Sequence, residues 1–413
     1  FAAVGPDLSA GLEESATVWI DAVQVERGAD AGEFVLREAV ELGFDSGRFG
    51  NLFSATETAA LQLYGFNDSA EEAAITVRAE LTDYFDVRLP DSSTTVRIPA
   101  HQNIKIDIPL GVTGTGFYRV KLFWESGKSQ HFEETTLAVT PRYEGQDSPF
   151  GINHAMTTVE LCWSLQRAGV VWARDWSLDW NQVERQEGNI SFAGSDAQID
   201  RVLEYGMSVT SLLPPFASAL WASSAPADVE QHLPANFAEP LDFVKMGYAP
   251  KDPQKLYDFI YQTAAHYRSR VKVWEFYNEP IHTIYSLPSA NTKLPGANYT
   301  VADYVELLKG ACRAMKSADP GCRVMGGISV GSLEAIVAST RELVVLGGLE
   351  ALDIYAVHPY GHLASRLEEF APFFAKMNEV LVDKNGKGIS LWATEFGYYG
   401  ADAKPLMPWI APR

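Results

Sequence analysis

Val271-Lys272-Val273-Trp274-Glu275-Phe276-Tyr277-Asn278-Glu279-Pro280 is a short apolar strand that runs into a carboxylate and is stopped by a proline. β-Branched and aromatic residues bounded by a breaker predict a buried strand over 271–277. In a closed parallel sheet, residues at the carboxyl ends of strands face the active site. Placement, more than the tripeptide Asn278-Glu279-Pro280 itself, therefore marks Glu279.

The pattern repeats on both sides of this stretch. Short apolar runs at 150–153, 170–174, 208–213, 323–326, 352–358 and 391–395 alternate with longer amphipathic segments. Strand–helix alternation means a parallel sheet with helical cover. The helices carry their own boundary signals. Asp252-Pro253 opens one as a cap followed by a first-turn proline, and Leu256, Phe259 and Ile260 form its apolar stripe. Gly206 closes another after Ile199, Val202 and Leu203.

The last run, Leu391-Trp392-Ala393-Thr394-Glu395-Phe396-Gly397, again ends an apolar strand in a glutamate. Two such carboxylates suit glycosidic cleavage. One must be protonated to donate to the leaving oxygen; the other must be ionised on the opposite side of the anomeric carbon. Asn278 fits beside the acid, where an amide can hold a sugar hydroxyl. Arg174 ends the run Val170-Val171-Trp172-Ala173-Arg174, and a cation near Glu395 would keep that carboxylate ionised. Arg174→Ala is accordingly expected to lower turnover with little loss of folding. Asn153, His154, Trp176, His358, Tyr360 and Trp392 also sit at or just beyond strand ends and are candidate substrate contacts. Two long connections, 214–251 with Phe216, Trp221, Phe237 and Tyr248, and 281–300 with His282 and Tyr285, would lie on the same face. Their aromatics suit substrate walls, and Trp221 joins the candidate binding residues. For the histidines and tryptophans, core packing explains the residue types as well as sugar binding does.

Asn278-Glu279-Pro280 after a Trp-bearing strand, followed three strands later by Thr394-Glu395-Phe396-Gly397, resembles clan A of the glycoside hydrolases. Within that clan the chain is most similar to family 39, through Phe150-Gly151-Ile152-Asn153, Arg174-Asp175-Trp176 and His358-Pro359-Tyr360. The resemblance covers residues 148–400. It implies a (β/α)8 TIM-type barrel and a retaining β-glycosidase, with Glu279 as acid/base and Glu395 as nucleophile. The carboxylates should then lie about 5–5.5 Å apart. A transglycosylase with the same glutamates, a non-catalytic carbohydrate-binding protein and a structural adhesin are the alternatives.

Only eighteen residues follow Glu395, too few for another full βα unit. The barrel, over 148–413, is therefore expected to end after its seventh strand, to have open edges and to be poorly soluble and weakly active alone. Residues 55–143 hold six or seven short strands, clearest at 61–66, 74–81, 95–98, 104–108, 116–124 and 136–139; Tyr118, Val120, Leu122 and Trp124 share one face. Short strands at this spacing predict an immunoglobulin-like β-sandwich. The strand at 18–26 stands almost alone and resembles the last strand of a jelly-roll carbohydrate-binding module, so 1–40 is read as a remnant of one.

The net charge of −20 and pI near 4.8 argue against nucleic acid and anionic membranes as partners. No apolar run is long enough to span a bilayer. No phosphate loop, dinucleotide fingerprint, C-x-x-C or H-E-x-x-H is present, so neither cofactor nor metal is expected. Cys162 reads as core, while Cys312 and Cys322 could pair. A carbohydrate partner and secretion to the periplasm or beyond follow from the substrate class; oligomeric state is open.

Overall fold

In the computed structural model the described residues are 38–396, apart from 113, 142, 144, 146, 154–157, 234–239, 282, 284–285, 329–330, 361–367 and 369. The expected strand at 18–26 and the candidate residues His154, Phe237, His282 and Tyr285 lie outside them. The chain divides into two compact units, Phe1–Pro141 and Arg142–Arg413.

The first unit is a two-sheet layer. Its strands are β1 (Val40–Asp45), β2 (Leu52–Ser54), β3 (Ala60–Asn67), β4 (Ala73–Asp83), β5 (Ser92–Ile98), β6 (Gln102–Pro109), β7 (Gly116–Ser126) and β8 (Ser129–Thr140). One sheet has the order β1-β3-β6, the other β2-β8-β7-β4-β5. Alternation decides which side chains face inward. Leu61 and Leu63 of β3, Ile75, Val77, Ala79 and Leu81 of β4, and Tyr118, Val120, Leu122 and Trp124 of β7 all enter one apolar core. Each fully buried aliphatic side chain contributes about 1.5–3 kcal/mol. The β-branched run Ser92–Ile98 begins earlier than its apolar residues suggest, because Thr94 and Thr95 pair in the ladder with Val77 and Thr76.

The second unit is a seven-stranded parallel sheet with the strands in sequence order. These are β9 (Gly151–Asn153), β10 (Trp172–Asp175), β11 (Ser208–Leu212), β12 (Val271–Glu275), β13 (Arg323–Gly326), β14 (Ile354–Val357) and β15 (Ser390–Ala393). Helices α1 (Val159–Arg167), α2 (Trp180–Val183), α3 (Ala193–Glu204), α4 (Leu241–Gly247), α5 (Pro253–His266), α6 (Val301–Ala318), α7 (Leu333–Val345) and α8 (Phe370–Val380) fill the crossovers. The predicted start of α5 holds: the Asp252 carboxylate accepts from the Gln254 amide at 2.9 Å. Gly206 closes α3 with a φ of +72°.

The sheet curls, so that its end strands β9 and β15 line one cavity of about 1050 Å³ together with Trp172, Phe370 and Phe374. Residues 397–413, which follow β15, are outside the described residues. The inner face of the sheet is layered. Val273, Met325, Ile354 and Ala356 form an apolar layer, against which Trp172 and Trp392 pack edge to face with centroids 5.0 Å apart. Two residues further along the same strands, the period of two puts Arg174, Glu275, His358 and Thr394 on that same inner face. The apolar layer thus floors a polar one at the carboxyl ends.

Cys162, Cys312 and Cys322 are all free and buried. The pairing left open for Cys312 and Cys322 is not formed; burial pushes the Cys322 thiol up to about 11. Among the described residues, no helix is long and apolar enough to cross a membrane.

Candidate active site

β12 was expected to run to residue 277, but its ladder ends at Glu275. The reason is local. The Tyr277 amide turns to the Pro214 carbonyl at 3.3 Å and the Asn278 amide to the Pro215 carbonyl at 3.1 Å. Tyr277 and Glu279 both adopt left-handed backbone, with φ of +66° and +46°. For non-glycine residues this conformation costs on the order of 1–3 kcal/mol each. The turn carries Glu279 over the end of the sheet, where a continued strand would not put it.

Arg174 is the centre of the polar layer. It is 3% exposed, and Glu275 is 2% exposed. Nε of Arg174 donates to Glu275 Oε2 at 2.6 Å and Nη2 to Glu275 Oε1 at 2.9 Å, a two-pronged pair. Nη1 donates to Glu395 Oε1 at 2.7 Å and to Asn153 Oδ1 at 3.2 Å; Nη2 also reaches Asn278 Oδ1 at 2.9 Å. The second Glu395 oxygen accepts from the Tyr360 hydroxyl. Burial raises the Glu395 carboxyl, but His358, Arg174 and the Tyr360 hydrogen bond outweigh it and hold it below the ordinary glutamate range.

His358 links the two glutamates. Nδ1 lies 2.9 Å from Glu279 Oε1 and 3.8 Å from Glu395 Oε2; Nε2 lies 3.1 Å from Thr394 Oγ1. One carboxylate oxygen each from Glu279 and Glu395, with a His358 ring nitrogen, fall within 4.8 Å of one another. Such a trio is the kind of cluster that can hold a metal ion. Here the Arg174 guanidinium already supplies the positive charge against Glu395, so the cluster is accounted for without a cation.

The structure thus brings together Glu279, Glu395, Asn278, Arg174, His358, Tyr360, Asn153 and Trp176, whose indole donates to Asn153 Oδ1 at 2.9 Å. Trp392 belongs to the barrel interior beside Trp172, though it also lines the cavity that reaches Glu395. Trp221 is placed differently: its indole donates to the Glu184 carbonyl at 2.8 Å and its ring packs on Trp180. Those contacts are structural. Two polar residues at the centre were not singled out from the sequence, Glu275 and Thr394. The available signal was alternation, since Val273 and Glu275 share the inner face, while a register shift before Val273 turns Val271 to the other side. Beyond Arg174 a second, polar cavity of about 670 Å³ is lined by Trp176, Gln182, Arg185, Asn189, Ser191 and Gln198.

No family profile and no curated protein sequence matches the chain. Among solved structures, a family 39 glycoside hydrolase from the gut symbiont Bacteroides cellulosilyticus WH2 is similar, with a TM-score of 0.58 and 16% identity over 87% of this chain and 68% of that one. That likeness establishes a shared fold. GH10 from Paenibacillus barcinonensis gives a TM-score of 0.43 and 16% identity over 63% of this chain and 75% of that one. A β-glucuronidase from Bacteroides uniformis gives 0.33 and 13% over 83% and 38%. The structural neighbours are glycoside hydrolases.

Proposed function

We propose that this chain is a retaining β-glycoside hydrolase acting on a poly- or oligosaccharide, with Glu395 as nucleophile and Glu279 as acid/base. The observation that carries the reading is the asymmetric pair: two glutamates with oxygens within 4.8 Å, one of them clamped by a guanidinium. Retaining enzymes keep their carboxyl groups about 5–5.5 Å apart, because no water need fit between them. Glu395, ionised by Arg174 and Tyr360, attacks the anomeric carbon. Glu279 gives its proton to the leaving oxygen, then takes one from the water that releases the sugar. Asn278, held by Arg174 at 2.9 Å, is placed to meet a sugar hydroxyl. The cavities on either side of Arg174 have room for sugar units. On this reading the protein works outside the cytoplasm, and the two-sheet unit, read as immunoglobulin-like, serves as support.

The test is a panel of aryl β-glycosides with the products followed by proton NMR. The first-formed sugar is expected to be the β-anomer. First-formed α-anomer would exclude the double displacement, and no hydrolysis across the panel and across plant and microbial polysaccharides would exclude the activity. Sugar transferred chiefly to another sugar would instead indicate a transglycosylase.

The lowered Glu395 carboxyl predicts a pH effect. Activity requires the ionised form, so the acid limb of kcat/KM should lie below the ordinary glutamate range. Tyr360→Phe removes one of the lowering contacts and should move that limb upward. The stability sign is the same. The folded value lies below the unfolded one of about 4.3, so ionised Glu395 favours the folded state at neutral pH. That contribution is lost as pH falls through the folded value.

A further inference from the structure

We propose that Thr394 and Glu275 are positioning residues that fix the tautomer of His358, and through it keep on Glu279 the proton that the first step consumes. The proposal rests on the reading of Glu279 as acid/base. Its basis is a continuous path of contacts from one glutamate to the other: Glu279 to His358 at 2.9 Å, His358 to Thr394 at 3.1 Å, Thr394 to Glu275 at 3.3 Å, Glu275 to Arg174 at 2.6 and 2.9 Å, and Arg174 to Glu395 at 2.7 Å.

The argument turns on one proton. The Thr394 hydroxyl has a single hydrogen to give and two acceptors within reach, His358 Nε2 and Glu275 Oε1. Glu275 is held as a carboxylate by two bonds from Arg174, and an ionised acceptor makes the stronger hydrogen bond. The Thr394 hydrogen therefore goes to Glu275. Nε2 of His358 must then carry a hydrogen and donate to Thr394 Oγ1. A neutral imidazole in that tautomer presents only a lone pair at Nδ1. Its contact with Glu279 Oε1 is a hydrogen bond only when that contact contains a proton.

The other charged groups facing this pair are Glu395, whose Oε2 lies 3.8 Å from Nδ1, and Arg174, bonded to Glu395 at 2.7 Å; His358 itself is 2% exposed. Tyr360 packs edge to face on the imidazole, with centroids 6.5 Å apart, and donates to Glu395. The Nδ1–Oε1 contact, at 2.9 Å, holds one transferable proton. In the first step the Glu279 O–H bond breaks as the leaving-group O–H bond forms. The anomeric C–O bond breaks, and a Glu395 oxygen bonds to that carbon. Glu279 is then a carboxylate facing the Nδ1 lone pair. With no donor on that side, its oxygen is left open to take a proton from water in the second step.

Thr394→Val removes the hydroxyl at nearly constant shape. The imidazole is then free to place its hydrogen on Nδ1 and donate to ionised Glu279. The alkaline limb of kcat/KM is expected to move to lower pH by about one unit. Thr394→Ser, which restores the hydroxyl, should keep the wild-type limb. A merely structural role for Thr394 would lower kcat and leave the limb in place. A second readout needs no turnover. Ring ¹⁵N spectra, with the His358 signal assigned from His358→Gln, should show Nε2 protonated in the wild type and in Thr394→Ser. Thr394→Val, or Thr394→Ala if the valine variant fails to fold, should show Nδ1 protonated and Nε2 bare. A bare Nε2 in the wild type, or coincident alkaline limbs for Thr394→Val and wild type, overturns the proposal. Absence of glycosidase activity in the wild type would sink the functional reading alone, since the spectra still report the tautomer.

Discussion

Glu395→Gln is expected to lower kcat/KM on aryl β-glycosides by on the order of 10⁴-fold, equivalent to about 5.4 kcal/mol of transition-state stabilisation. The amide keeps the shape of the carboxylate but cannot form the glycosyl ester. The loss should therefore be independent of the leaving group. Glu279→Ala should behave differently. Removing a general acid–base group costs about 10²–10⁴-fold, and the deficit should shrink for leaving groups acidic enough to depart unprotonated. Comparing both variants across aryl glycosides of graded leaving-group acidity assigns the two roles. If the leaving-group dependence appeared with Glu395→Gln instead, the roles would be reversed. Folding is not expected to confuse the measurement for Glu395→Gln, because Arg174 keeps its two-pronged partner Glu275.

Arg174→Ala should be both inactive and unstable. The sequence alone suggested little loss of folding, on the reading that Arg174 serves Glu395, with a structural ion pair as the alternative. The structure revises this, since Arg174 also neutralises Glu275 inside the barrel, and both side chains are nearly inaccessible to water. Removing one member of a buried pair leaves an uncompensated charge and costs about 3–5 kcal/mol. Denaturant unfolding should show that loss. The double variant Arg174→Met/Glu275→Leu should recover most of the stability, because neither charge remains to be solvated. It should not recover activity, because Glu395 is still without its cation. Full stability in Arg174→Ala alone would contradict the account of Glu275.

What the sequence revealed depended on where each residue sits along its strand. Glu279, Glu395 and Arg174 stand at the ends of apolar runs, so the end of a parallel strand marks them without knowledge of any partner. Glu275 and Thr394 stand one to four residues from more conspicuous glutamates, and their meaning comes from partners 101 and 119 residues away. No local pattern reports such a pairing. Trp221 shows the converse. An aromatic on a long connection suited a sugar platform, but its indole nitrogen found the Glu184 carbonyl and its ring found Trp180. Strand boundaries erred for a related reason: the apolar run of β12 continues past Glu275, while backbone handedness stops the ladder.

That handedness has a consequence for how the protein can change over generations. Tyr277 and Glu279 occupy backbone conformations that glycine would accept far more readily. Selection for foldedness alone would therefore favour replacing them, and selection for catalysis would resist it, at the very residue proposed to handle the proton. The two pressures oppose each other here more sharply than in the apolar floor below, where Val273, Met325, Ile354 and Ala356 serve both at once. A lineage freed from its substrate should lose the residue at 279 early, while its barrel interior stays recognisable long afterwards.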